Sequence, residues 1–223
     1  MDVALEDLCK QLRLSGVYNY VQEYSPNDDD LQEFLISALQ AELDKRRMNR
    51  QMRSLRLAGF PTKKRFEDLI MDDLPQDGRE AIPALKALEF LKERRNIIFI
   101  GNSGTGKTHL AIAVGIRACE ENYRVAFRTA AGLINEMVEA RNENRLSIYI
   151  KQFRKIDLLI IDEHGYVTFD LTAAELLFQL LATRYETMST ITSNLSFSNW
   201  VKVFHDRTLT AAILDRISHI RYW

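Results

Sequence analysis

The sequence predicts an α/β protein: a parallel sheet covered by helices on both faces, preceded by a small all-helical region. Three observations carry this. From about residue 85, short apolar runs alternate with helix-length segments. The runs Ile97–Ile100 and Leu158–Ile161 are apolar at every position, as strands buried on both faces are. Before residue 85 the pattern is helical, with only Gly16 and Gly59 ahead of Gly78. The expected organisation is a helical region over 1–84 and an α/β domain over 85–223.

In chain order, residues 25–59 read as one long helix. Asn27 and Asp28–Asp30 stand at its start, where acidic groups suit the helix dipole. Arg53, Arg56, Gly59 and then Pro61 mark its end. Arg46, Arg50 and Arg53 share a face, with Met48, Met52 and Leu55 roughly opposite. Residues 61–80 read as a turn-rich connector and 84–95 as a short helix. A strand follows over 96–101, a helix over 108–122, a strand over 123–130 and a mainly helical stretch over 130–155. Then come a strand over 156–163, a helix over 171–187, a strand over 189–194 and a helical segment near 211–219. In such sheets ligands bind at the carboxyl ends of the strands.

The 223 residues are 46% hydrophobic and 27% charged, an ordinary globular composition. No apolar run approaches the ~18 residues of a membrane span. The acidic, amphipathic start lacks the basic and apolar regions of a secretory signal. A cytoplasmic location without membrane contact is the expectation. Cys9 and Cys119 stand apart and near no histidine pair, so they read as reduced thiols rather than metal ligands.

Net charge is only −1, but it is unevenly spread. Lys45, Arg46, Arg47, Arg50, Arg53, Arg56, Lys63, Lys64 and Arg65 lie in one stretch with no acidic residue. Such asymmetry marks a candidate polyanion surface. A backbone-tracking DNA contact is expected there, with Lys151, Arg154 and Lys155 as further candidates; a solvated helix face is the bland alternative.

The chemistry sits at strand ends. Gly101-Asn102-Ser103-Gly104-Thr105-Gly106-Lys107-Thr108 matches G-x-x-x-x-G-K-[ST] between a strand and a helix. The glycines let backbone N–H groups turn around a phosphate, and the helix N-terminus adds positive potential. Lys107 is expected at the β- and γ-phosphates of ATP and the Thr108 hydroxyl on Mg²⁺. Asp162 and Glu163 end a buried strand. Asp162 suits a metal ligand acting through water, and Glu163 a general base for the attacking water. Asn194, at the end of a third apolar strand, suits holding that water. Arg216 suits an arginine finger reaching a neighbouring subunit's ATP. The alternatives are solvated carboxylates, a capping asparagine and an arginine paired with Asp215. His109 and His164 are expected to be structural or solvent-facing.

With these residues placed, the chain resembles the AAA+ ATPases of the DnaA/DnaC group, and within them the IstB-like family of insertion-sequence helpers. The likeness rests on GNSGTGKTHLAIAVG, YRVAFRTAAGLINEM, DLLIIDEHGY, AAELLFQLLATRYE, TITSNLSFSNWVKVF and AAILDRISH. LRLSGV and RQMRSLRLAGFP extend it over the N-terminal region. The resemblance implies a P-loop AAA+ three-layer core and ATP-dependent self-assembly on DNA, with each site shared between subunits. It also implies a DDE-type transposase as partner, whose insertion is stimulated. Under it Lys107 and Thr108 bind phosphate and metal, Asp162 and Glu163 form Walker B, Asn194 is sensor 1 and Arg216 is the finger. Hydrolysis is expected to be slow and DNA-stimulated.

The chain departs from the family pattern in two places. His164 stands where the family usually has leucine. Family chains continue past the Leu214-Asp215-Arg216 helix with another strand and a tail carrying sensor 2. Here the sequence ends at Arg221-Tyr222-Trp223, so a sheet lacking one edge is expected. Two rivals stay open: a helicase loader of the DnaC type, and a DNA- or nucleotide-binding protein without turnover.

Overall fold

The computed structural model describes residues 3–23, 31–162, 170–184, 188–193, 200–204, 206–217 and 220–222. The chain divides into two compact units, Met1–Arg53 and Ser54–Trp223.

The first unit holds α1 (Val3–Gln11), α2 (Ser15–Glu23) and most of α3 (Leu31–Ala58). α2 sits close on α3 because Gly16 has no side chain. A Cβ there would lie 2.5 Å from the Glu42 Cα and 2.8 Å from the Ala41 carbonyl oxygen. The closeness lets the Gly16 N–H donate to the Glu42 carboxylate. Ala38 is buried beside this contact, and Tyr20 meets Phe34 with ring centroids 5.5 Å apart. Glu42 is almost fully buried. Burial alone would raise its pKa. The hydrogen bonds from Arg46 and Gly16, the Arg46 charge and the Val17 N–H outweigh that and hold it below the ordinary carboxylate range.

α3 follows the expected long helix and ends at Gly59, whose φ of 78° is the left-handed geometry of a helix stop. The division between compact units falls inside this helix, whereas the change of hydrophobic pattern sets the expected regions at 1–84 and 85–223. The reason is packing. Ala58, Phe66, Leu74, Ile82 and Leu85 belong to the same buried cluster as the sheet residues Ile97 and Ile160. Short 3-10 turns at Phe66–Asp68 and Met71–Asp73 precede α4 (Gln76–Ala87) and α5 (Glu89–Lys92). α4 therefore begins earlier than expected and runs through Gly78 and Pro83. Both disfavour helix interiors, but Ala81, Ile82 and Leu85 are buried, and tertiary packing overrides propensity.

The α/β pattern then runs in order. β1 (Asn96–Ile100) leads to α6 (Lys107–Glu120), β2 (Val125–Thr129), α7 (Ala130–Asn142) and α8 (Leu146–Phe153). After them come β3 (Leu158–Asp162), α9 (Leu171–Thr183), β4 (Met188–Ser193), α10 (Trp200–Phe204), α11 (Arg207–Ile217) and β5 (Ile220–Tyr222). The strands form one parallel sheet in the order β2-β3-β4-β1-β5. Alternate residues enter opposite layers. Ile97, Phe99, Phe127 and Ile160 pack with α6, whereas Ile98, Ala126, Leu159 and Ile161 pack with α7 and α9. Fully burying such side chains stabilises by roughly 1.5–3 kcal/mol each.

The expectation of a missing sheet edge is corrected. Ile220, Arg221 and Tyr222 pair in parallel with Asn96, Ile97 and Ile98. The short Ile-Arg-Tyr run suffices because β1 offers an otherwise unpaired ladder and two of the three residues favour strands. Among the described residues no helix is long and apolar enough to cross a membrane.

Candidate nucleotide-binding site and basic surface

Register brings the candidate residues to one edge of the sheet. Asp162 at the end of β3 aligns with Thr192 of β4, and Ser193 aligns with Ile100 of β1. The loop 101–106 leaves directly from Ile100. Gly104 and Gly106 have φ of 84° and 81°. Gly106 is the residue before α6, and a Cβ there would also press to 3.0 Å from Leu74 Cδ2. At Gly104 the demand is conformational alone, since a Cβ would meet nothing within 4 Å.

Side chains complete the loop. The Thr105 hydroxyl donates to the Asn102 carbonyl at 2.9 Å. The Lys107 ammonium donates to the same carbonyl at 2.6 Å and lies 3.4 Å from Thr105 Oγ1. Partial burial lowers the Lys107 pKa, and the Asp162 charge works in the opposite direction. The Thr108 hydroxyl donates to Asp162 Oδ1 at 3.0 Å and lies 3.2 Å from Oδ2. Asp162 is only 1% exposed. A buried carboxylate beside a hydroxyl is an all-oxygen donor set, which suits Mg²⁺.

The structure thus brings Gly101, Asn102, Ser103, Gly104, Thr105, Gly106, Lys107, Thr108 and Asp162 to one strand-end edge. Glu163 and Asn194 follow Asp162 and Ser193 in sequence and lie outside the described residues, as does His164. Arg216 lies in the last turn of α11, and its side chain is outside the description.

The basic stretch separates into two groups. Lys45 donates to the Ser15 carbonyl at 3.3 Å. Arg46 bonds Glu42 at 2.6 Å and the Arg13 carbonyl at 2.9 Å, so both side chains hold the helical unit together. The Arg65 guanidinium pairs with Glu120. Arg47, Arg50, Arg53, Arg56, Lys63 and Lys64 are exposed and carry no ion pair among the described residues. Met48 and Met52 are exposed too, while Leu55 packs against the core. Lys151, Arg154 and Lys155 are exposed on and just after α8.

His109 is structural, one of the two expectations, but its partner was not foreseen. Its Nε2 lies 2.8 Å from the Arg65 carbonyl oxygen, a main-chain partner that no side-chain motif announces.

Comparison with known proteins adds the lineage. Residues 7–221 match the family described as IstB-like ATP binding protein. A Bacillus thuringiensis subsp. berliner protein, named for ATP binding and insertion sequence IS232, is 37% identical over 201 residues. That match covers 89% of this chain and 80% of the relative. A Pseudomonas aeruginosa protein, named for ATP binding and insertion sequence IS21, is 36% identical over 220 residues, covering 96% and 83%. Among solved structures, AMPPCP-bound DnaA from Aquifex aeolicus superposes with a TM-score of 0.60 at 23% identity. The match covers 74% of this chain and 51% of that one. That likeness shows a shared fold.

Proposed function

This chain belongs to the IstB-like ATP binding proteins, and from that premise we propose that it is an ATP-hydrolysing helper of DNA transposition. It assembles on target DNA and stimulates a DDE-type transposase in the cytoplasm. The observation that carries the reading is the Thr108–Asp162 contact at the mouth of a glycine-turned phosphate loop. The naming of its relatives for insertion sequences supports the biological setting.

In this reading the N–H groups of Gly101, Asn102, Ser103, Gly104, Thr105 and Gly106 cradle the phosphates. Lys107 moves from the Asn102 carbonyl to the β- and γ-phosphate oxygens. Thr108 and Asp162 would hold Mg²⁺, which would supply charge neutralisation for the phosphates. Glu163 takes a proton from the attacking water, and Asn194 orients that water. Arg216 enters the site of the adjacent subunit, so self-assembly completes it. The exposed cations Arg47, Arg50, Arg53, Arg56, Lys63 and Lys64 contact the DNA backbone. Lys45 and Arg46 brace the helical unit, and Arg65 is paired with Glu120 in the α/β unit.

The test is phosphate release with and without duplex DNA, followed by addition of the transposase from the same insertion sequence. The reading requires DNA-stimulated release and enhanced strand transfer. Stable capture of a replicative helicase with no effect on the transposase would turn the assignment to a helicase loader. Nucleotide binding without release would turn it to a non-catalytic binder.

A further inference from the structure

We propose that His109 is a positioning residue that couples the basic segment Lys63–Arg65 to the nucleotide loop. The inference rests on the DNA reading above. A carbonyl oxygen only accepts, so His109 Nε2 carries the proton and donates to Arg65 across 44 residues of sequence. His109 directly follows Thr108, whose hydroxyl meets Asp162. One hydrogen bond therefore ties Arg65, within the connector, to the neighbour of Thr108 in the first turn of α6.

Arg65 is tied down at three points. Its N–H donates to Asp68 Oδ2 at 2.8 Å, its carbonyl accepts from His109, and its guanidinium pairs with Glu120. His109 and Glu120 lie in the first and last turns of α6, about 16 Å apart at helical rise. The segment is thus strapped along that helix, and nine residues later Leu74 lies against Gly106. Lys63 and Lys64, just before the strap, are exposed and carry no ion pair among the described residues.

The three ties are not equal. The Arg65–Glu120 pair is half-exposed on the arginine side, and such surface pairs are worth about 0–1 kcal/mol. A DNA phosphate competes with Glu120 for that guanidinium. The His109 bond holds main chain, which a phosphate on Lys63 or Lys64 does not displace. It is the link that keeps a load on the two lysines coupled to the first turn of α6.

Coupling between two binding sites is reciprocal, so it is read from binding alone. The measurement is affinity of the full chain for a fluorescent duplex, with and without a non-hydrolysable ATP analogue and Mg²⁺. The analogue should tighten duplex binding by about fivefold or more in the unmodified chain. In His109→Ala that ratio should fall towards one, while duplex affinity without nucleotide and nucleotide affinity without duplex each stay within about twofold. His109→Gln, which keeps an N–H near the Nε2 position, should restore most of the ratio. An unchanged ratio in His109→Ala overturns the inference, as does an equal loss of both separate affinities, the mark of a merely structural role. A unit ratio in the unmodified chain also overturns it. Absence of any duplex binding there overturns the DNA reading itself and this inference with it.

Discussion

The Thr108 hydroxyl reaches the Asp162 carboxylate at 3.0 Å, joining the start of α6 to the end of β3 across 54 residues of sequence. A buried carboxylate costs stability unless it is hydrogen-bonded, and this contact places two oxygen donors on one side of the phosphate loop. Thr108→Val and Asp162→Asn should therefore remove the Mg²⁺ dependence of ATP affinity while leaving Mg²⁺-free binding within about twofold of the unmodified chain. Thr108→Ser should behave like the unmodified chain. Titration of a fluorescent ATP analogue with and without EDTA checks this. Retained Mg²⁺ dependence in Thr108→Val would move the metal elsewhere.

The salt dependence of DNA binding tests the basic surface. Arg46 is a poor target, because its side chain bonds Glu42 and Arg13 and its loss would loosen the helical unit. Arg47, Arg50 and Arg53 are the informative set. Replacing all three with Ala should flatten the log–log salt slope by roughly two to three units and weaken all duplex sequences alike. An unchanged slope in the folded variant would relocate the DNA surface.

The helical unit should be acid-sensitive through Glu42. Its folded-state pKa is lowered, so its contribution is present above the unfolded value of about 4.3 and is lost as pH falls through the folded value. Glu42→Gln should flatten that acid limb of the stability curve and cost about 1–3 kcal/mol at neutral pH. Gly16→Ala should also destabilise the unit, because its Cβ would strike α3 backbone rather than a movable side chain. Thermal melts of residues 1–53 within the full chain, followed by a label on α2, report both. A neutral Gly16→Ala would contradict the close helix contact.

The finger assignment is tested by mixing subunits. Arg216→Ala and Lys107→Ala should each be inactive alone, and a mixture should regain phosphate release wherever an intact loop meets an intact arginine. A finger of this kind is worth about 10³-fold or more in rate. No recovery in mixtures shown by cross-linking to co-assemble would place Arg216 outside the site.

The phosphate loop was legible in the sequence because its residues are contiguous and its context, strand then helix, is local. Asp162 was legible because four apolar residues before it announce a buried strand end. The long helix to Gly59 was legible from its end signals. Three features were not. α4 was obscured because Gly78 and Pro83 lower local propensity, while the burial that fixes it is tertiary. β5 was obscured because its pairing with β1 joins residues more than a hundred positions apart. The partner of His109 was not legible, although a structural place for the ring was expected, because that partner is a carbonyl, which every residue possesses and no motif records.

The central claim is that the Gly101–Thr108 loop and the Asp162-Glu163 pair form one ATP-hydrolysing site with divided roles. The most direct measurement is nucleotide affinity and DNA-stimulated phosphate release, made side by side on the unmodified chain, Lys107→Ala and Glu163→Gln. The expected result is stimulated release from the unmodified chain, loss of both binding and release in Lys107→Ala, and retained binding with release lost in Glu163→Gln. Equal loss of ATP affinity in both variants, or full release from Glu163→Gln, would contradict it.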